Sequence, residues 1–486
     1  MTPTGEAGIT THKAPSLGTK LAYGFGAAAF GIKDTGFSYF LLMFYSQVIG
    51  LDARLVGLAL TTALVLDAIF DPVVGYWSDN FRSRWGRRHL FMYASAIPIT
   101  ISYLLLWSPP LGWDQTALFW YILILAILTR FFLTFFETPS AALAPELSRD
   151  YDERSTLLSF RTFFGWTGGN AMTVMMFFIL FPAFATAADP SGQFNPEAYM
   201  VYGWIAAGLI FASILVSSLG THGYIGRLTQ PPQRPRITLP AVFREMFETL
   251  SNRSFLSIFI AAMFANVAVG LGSALSVYFS TYFWGFTPLQ IGFITLAVFL
   301  SALIGAALAP ILTRSLGKKR GAIVIGIAAL IISPSVILLR LFGVLSDGSD
   351  SFTFWAVLIQ GQLYVASVVC FQVLMASMIA DLVEQSELKT GRRSEGVFFA
   401  ANTFIQKMTT GVGVMAATLV LALAHFPAGA DPSQVPESVL QSLGWNYLPA
   451  MLLLHVATIA AILTYSLSRQ THEENLRKLA GTEPAT

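Results

Sequence analysis

Residues 66–88 read "LDAIFDPVVGYWSDNFRSRWGRR". The first half is an apolar, helix-like run that nevertheless carries two carboxylates, Asp67 and Asp71, four residues apart. The second half packs Arg82, Arg84, Arg87 and Arg88 into seven residues. An apolar helix that tolerates two acids and stops at a cluster of positive charge is the pattern of a membrane span whose interior has work to do. Composition agrees. Of the 486 residues, 55% are hydrophobic and 12% charged, and the mean hydropathy is +0.63. Soluble domains carry about 25% charged residues, so this chain has too little polar cover for water.

Runs long enough to cross about 30 Å of hydrocarbon recur twelve times, near 21–50, 54–80, 89–108, 115–146, 155–186 and 198–220, then 254–285, 287–312, 320–344, 353–385, 394–427 and 443–468. Backbone groups in lipid must be satisfied within the segment, so these are helices and the fold class is an all-α membrane protein. The N-terminal "MTPTGEAGITTHKAPSLGTK" has no apolar core of a cleavable signal, so insertion through the first span is expected. All but six of the 29 lysines and arginines lie in the two tails and in every second loop, the six being Lys33, Arg54, Arg130, Arg161, Arg340 and Lys407. The positive-inside rule then places both termini in the cytoplasm. The net charge of +2 says little by comparison. A single cysteine, Cys370, excludes an internal disulfide, and the six histidines form no ligand-spaced cluster. The arginines follow a membrane interface rather than a basic domain, which argues against a nucleic-acid partner.

The basic loop at 221–253 divides the chain into an N-terminal six-helix bundle, 1–220, and a C-terminal one, 254–486, with a short cytoplasmic tail. The halves are weakly alike. "SDNFRSRWGRR" after the second span has a counterpart in "PILTRSLGKKRG" after the eighth, and "PELSRDYDERS" after the fourth in "IADLVEQSELKTGRRSEG" after the tenth. Two parallel repeats with a ligand site between them near the midplane is the major facilitator arrangement.

Four acids sit in apolar helices: Asp34, Asp67, Asp71 and Glu137. Each costs roughly 2.5–3.5 kcal/mol at mid-helix, so four unpaired carboxylates would cost about 10–14 kcal/mol, comparable to the stability of a whole domain. They must be paired, protonated, hydrated or bound to an ion. Asp67 and Asp71 share a helix face about 6 Å apart along the axis. Two carboxylates so close repel unless a cation or a proton lies between them, and Thr134 can add a hydroxyl. The plainer alternative is that Asp71 caps a helix segment and Asp67 faces a water-filled cleft. Lys33, Arg161 and Lys407 read either as ligands for substrate or as neutralising partners, Lys407 standing in for the cation when it is absent. Arg130 shares a face with Thr134 and Glu137, and either meets an anionic substrate group, snorkels to the interface or pairs with an acid. The arginine cluster stops the second helix at the interface. With Asp79 it reads as a gate whose ion pairs open as the halves rock. The glycine-rich "GFGAAAFG" (24–31) follows no strand and is no nucleotide loop; small residues there allow close helix packing. Pro139 loosens the fourth helix beside Glu137.

The stretches "LAYGFGAAAFGIKDTGFSYFLLMFYSQVIGL", "DAIFDPVVGYWSDNFRSRWGRRHLF", "FETPSAALAPELSRDYDERS" and "ADLVEQSELKTGRRSEGVFFAANTFIQK" resemble the glycoside–pentoside–hexuronide:cation symporters, the family of the melibiose carrier. The resemblance runs over nearly all twelve helices. It implies that Asp67, Asp71 and Thr134 hold a coupling sodium, proton or lithium. It also implies that Lys33, Asp34, Glu137 and Arg161 contact sugar, and that Lys407 is the family's helix 11 lysine. The helix 4 acid is Glu137 here where the melibiose carrier has aspartate. Two departures weaken a galactoside assignment: Ala141 stands where the melibiose carrier has a sugar-packing tryptophan, and Arg130 has no evident counterpart.

The expectation is a cation-coupled symporter of the inner or cytoplasmic membrane, not an enzyme. It should be monomeric, move a sugar, glycoside or uronide, and need no cofactor beyond the coupling ion. A lysolipid-like amphiphile or organic anion is the rival substrate, and passive uniport the rival mechanism. A membrane enzyme or sensor is disfavoured, since no nucleophile–base pair, metal cluster or output domain is evident.

Overall fold

The computed structural model describes residues 15–81, 83–148, 151–225, 253–390 and 395–465, without the side chains of a few residues, among them Asp79 and those at 382–390 and 395–404. Among the described residues there is no strand. The first helix, α1, is built from Leu17–Phe25 and Ala27–Thr35 and continues through π-helical turns at Gly36–Phe40 and Phe44–Val48. It is followed by α2 (Ala53–Asn80), α3 (His89–Leu106), α4 (Gln115–Ala141), α5 (Tyr151–Met175) and α6 (Pro196–His222). The second set is α7 (Arg253–Tyr278), α8 (Pro288–Leu316), α9 (Lys318–Leu341), α10 (Ser351–Thr390), α11 (Glu395–Leu423) and α12 (Glu437–Leu463). Among the described residues, eleven helices are by themselves long and apolar enough to cross a membrane, and the interrupted α1 is the twelfth.

Starts are set by side-chain caps. Ser16 accepts from the Thr19 amide, Asp52 from Arg54 and Asp114 from Ala117, while Thr287 and Gln290 form a reciprocal capping box at α8. Two boundaries differ from the hydropathy reading. The fourth helix stops at Ala141 instead of near 146, because a separate turn, Ala144–Leu147, begins with a proline in its first positions. The last begins at Glu437 rather than near 443. Its first turn is polar and carries no hydropathy signal.

Packing repeats itself. In the first six helices α1 contacts α5 and α6, α4 contacts α2 and α3, and α3 contacts α6; the last six pair in the same way, α7 with α11 and α12, α10 with α8 and α9, α9 with α12. Across the middle, α2 meets α11, α5 meets α8 and α1 meets α7. These are pairings that a pseudo-two-fold exchanges or maps onto themselves, the major facilitator fold. The 221–253 linker lies almost wholly outside the described residues.

The halves are latched at the end opposite the termini. Ser46 hydrogen-bonds Tyr278, the Tyr282 hydroxyl reaches Gln47 at 3.2 Å, Thr281 reaches Gln193 at 2.8 Å, and the Gly429 amide donates to the Ser46 carbonyl at 3.1 Å.

The small residues of α1 pack where expected, against α5. A Cβ on Gly31 would fall on the Gly165 carbonyl oxygen, and one on Gly24 would lie 2.7 Å from the Phe160 Cβ. Backbone against backbone leaves nothing that can give way. Gly31→Leu is therefore expected to abolish a monodisperse, folded protein in detergent chromatography, whereas Gly208→Leu, with open space around the same position on α6, should elute as the native protein does.

Candidate cation and substrate site

The two acids of α2 point at α4 and, across the middle of the molecule, at α11. The Arg130 guanidinium lies 3.1 Å from Asp67 Oδ2, and the Lys407 ammonium lies 3.2 Å from the same oxygen and 2.6 Å from Asp71 Oδ2. Thr134 Oγ1 is 3.0 Å from Asp67 Oδ1, 3.3 Å from Asp71 Oδ1 and 3.1 Å from the carbonyl of Arg130. A hydroxyl has one hydrogen, so three acceptors compete for a single donor. The place is rich in oxygen lone pairs, and Arg130 and Lys407 supply most of the donors that meet them. Pro72 adds to this, because it has no N–H and frees the Ala68 carbonyl from its helical partner. Among the described residues no three of His, Cys, Asp and Glu converge, so a cation seated here would combine the two carboxylates with neutral hydroxyl and carbonyl oxygens, a hard-ion ligand set.

Charge is balanced within this group. Asp67 and Asp71 oppose Arg130 and Lys407, and both Asp67 and Arg130 are buried. A buried ion pair persists when its remaining donors and acceptors are also met. Of the two cations, Arg130 is held inside the first half and is stacked on the Phe37 ring, 4.5 Å from its centroid. Lys407 belongs to the other half. It is the one that can leave when the halves move.

The proposed substrate residues gather beside this cluster. Lys33 is buried, 3.7 Å from Asp34 and 4.8 Å from the Phe30 ring centroid. It is also close enough to Asp67, Glu137 and Arg130 to interact through their charges. Asp34 is half exposed, at 51% of its side chain, so it faces open space rather than its neighbours. Glu137 is within Coulombic range of Lys33, Asp71 and Lys407. Arg161 of α5 donates to Ser140 at 3.0 Å and to the Glu137 carbonyl at 3.5 Å, and its guanidinium lies 6.0 Å from the Tyr23 ring centroid. It therefore ties α5 to the end of α4 near Glu137. At formal charge, Asp34, Asp67, Asp71 and Glu137 are matched by Lys33, Arg130, Arg161 and Lys407.

Phe37 is the residue that sequence reasoning missed. It lies between Lys33, 6.0 Å from its centroid, and Arg130 and keeps two like charges apart with a ring face that attracts both. The spacing Phe30, Lys33, Phe37 along one helix face was the available signal. At the terminus-bearing end, Arg87 and Arg88 close on Glu146, Arg88 with Nη2 2.7 Å and Nε 2.8 Å from the same oxygen. That acid, in "PELS" after the fourth helix, was not anticipated. Arg84 is exposed, and Arg82 and the side chain of Asp79 lie outside the described residues. The second half repeats the device: Lys318, the first residue of α9, meets Asp381 of α10 at 2.6 Å.

Fold and site define a membrane transporter, and comparison with known proteins agrees. Residues 22–469 match the family model described as MFS/sugar transport protein, and the chain belongs to that family. It is 26% identical to an uncharacterised symporter of Synechocystis (95% of this chain, 96% of the relative) and 24% identical to the putative glycoside/cation symporter YagG of Escherichia coli (95% and 94%). It is 25% identical to the sodium-dependent lysophosphatidylcholine symporter 1 of Gallus gallus (86% and 81%). Its fold is shared with the crystal structure of a D-xylose-proton symporter, with a TM-score of 0.61 at 16% identity over 93% of this chain and 98% of that one. The protein is thus a transporter of the major facilitator superfamily and not an enzyme.

Removing Lys407 leaves two adjacent carboxylates with one arginine. Breaking a fully buried pair costs about 3–5 kcal/mol; with Lys407 15% and Asp71 24% exposed, roughly 2 kcal/mol is expected. Lys407→Met should lower the unfolding temperature in sodium-free buffer, and adding Asp71→Asn should restore most of the loss. An unchanged unfolding temperature in the single variant would show that the bridge contributes nothing.

Proposed function

We propose that the protein carries a sugar, glycoside or uronide into the cell together with sodium or a proton, by alternating access across the inner or cytoplasmic membrane. Its termini are then cytoplasmic and the working unit is a monomer. The observation that carries this reading is the reach of Lys407 from α11 to both acids of α2. The acids that suit a cation belong to one half, and the charge that replaces it belongs to the other.

The cycle follows from that arrangement. In the conformation described, the latch at Ser46, Gln47, Tyr278 and Tyr282 closes the outer side and Lys407 balances the acids. When the latch opens, a cation enters among Asp67, Asp71 and Thr134 and displaces the Lys407 ammonium. Lithium fits the same oxygens. Arg130 stays and keeps the cluster from carrying two uncompensated charges. Lys33, Asp34, Glu137 and Arg161 then offer acceptors and charged donors that suit sugar hydroxyls or a uronate. A bound substrate and a bound cation each favour the state in which Lys407 is displaced. They help one another reciprocally, by about 1–3 kcal/mol in such systems. Asp79 with Arg82, Arg84, Arg87 and Arg88 forms the opposite gate, in which Glu146 joins as the acid that Arg87 and Arg88 already hold. A second substrate reading, a lysolipid-like amphiphile, is favoured by the sodium-dependent lysophosphatidylcholine symporter among the relatives.

Binding stabilises a folded carrier by mass action. A thermal-shift screen of sugars, glycosides, uronides and lysolipids, each with and without sodium, should give a shift for one class that is larger when sodium is present. With that compound isotope-labelled, Asp67→Cys and Asp71→Cys should each abolish cation-driven accumulation in sealed vesicles. Full accumulation by both variants would refute the cation site. Asp34→Ala or Glu137→Ala should weaken substrate binding about tenfold, the loss of one hydrogen bond to a charged group, while leaving the sodium-induced stabilisation in place.

A further inference from the structure

A cavity of about 270 Å³ lies within the second half, walled by α7, α9, α10 and α12 and touched by Gln406 of α11. None of the charged residues of the cation cluster lines it. Its lining is mainly apolar, with small residues such as the buried Ala329, and carries the polar groups of Asn266, Ser367 and Thr458 in its wall, whereas Gln372, Ala376 and Gln406 are exposed. Gln406 directly precedes Lys407, so the cavity and the cation cluster are adjacent on one helix.

Volume and lining select the occupant. An apolar cavity of about 150 Å³ holds benzene, so about 270 Å³ accommodates one aromatic ring with substituents. At six carbons per ~150 Å³, a sixteen-carbon acyl chain needs on the order of 400 Å³ and does not fit. The exposed amides of Gln372 and Gln406 suit hydroxyl groups and the apolar part of the lining suits carbon. His455 lines the wall with its Nδ1 2.8 Å from the Met451 carbonyl. A carbonyl only accepts, so Nδ1 donates, and in the neutral ring Nε2 is left as an acceptor. The Tyr364 ring, 5.9 Å from the imidazole, holds it in place.

We propose that this cavity seats the apolar aglycone, a single aromatic ring or a compact alkyl group, of a glycoside whose sugar lies at Asp34 and Glu137. The inference rests on the sugar reading above and narrows it to glycosides with an apolar leaving half. A hydroxyl on the aglycone donates to His455.

The test is equilibrium binding, in sodium, of phenyl and methyl glycosides of glucose, galactose, xylose and glucuronic acid to the purified native carrier. For at least one sugar the phenyl glycoside should bind about tenfold tighter or more than the methyl glycoside, the worth of burying one ring. Ala329→Phe fills the cavity and should erase that preference while methyl glycoside affinity stays. Ala376→Trp, at an exposed position of the lining, should do the same and serves if Ala329→Phe does not fold. Methyl and phenyl glycosides binding equally well to the native carrier, or a phenyl preference that survives both variants, would overturn the cavity assignment and leave the sugar reading standing. Lysolipid binding with no glycoside bound at all would overturn both.

Discussion

One ammonium shared by two carboxylates organises this molecule. Asp67 and Asp71 lie on the same face of α2 in a setting where neither can be left alone, and Lys407 answers both from the opposite half at 3.2 and 2.6 Å. In a low-dielectric interior an unmatched charge is too costly to keep. The two halves are consequently held in register at mid-depth by electrostatics. In the exchange we propose, a mobile cation takes the place of Lys407 and releases that hold, so that ion binding and the relative position of the halves become two aspects of a single charge balance.

The surrounding residues complete the charge balance. Arg130 is 3.1 Å from Asp67 and 4.5 Å from the Phe37 ring centroid. Thr134 stands among three acceptors with one hydrogen and can meet one of them at a time. Lys33, buried near aromatic rings and 3.7 Å from the half-exposed Asp34, lies within Coulombic reach of Asp67 and Glu137, so the charges of α1, α2 and α4 form one group.

The ends of the helices show how the repeat is used. Arg87 and Arg88, just before α3, hold Glu146 in the turn after α4, and Lys318, the first residue of α9, holds Asp381 within α10, two bridges at corresponding places in the repeat. Each stiffens its own half. Between the halves, the polar latch at Ser46, Gln47, Tyr278 and Tyr282 is made of uncharged hydrogen bonds, which exchange for water at small net cost. Rigid halves joined by an easily rewetted seam are what a rocking carrier requires. The tight α1–α5 contact through Gly24 and Gly31 keeps Lys33 and Asp34 moving as one body with Arg161.

Sequence by itself determined the helical class, because runs of twenty apolar residues have one stable backbone solution in lipid. It also marked the acids of α2 as the centre of interest, because four residues place two side chains on one face whatever the helix packs against. The family motifs added Thr134 and Lys407 as companions, and the structure brings both to the acids. The tertiary structure alone decided which charge answers which. Arg130, open in the sequence between substrate and acid, is paired with Asp67; Arg87 and Arg88 take Glu146 from a distant loop; Phe37 becomes a divider between cations. Such pairings depend on distances between helices far apart in the chain. Periodicity along one helix states which residues share a face, and only packing states what that face meets.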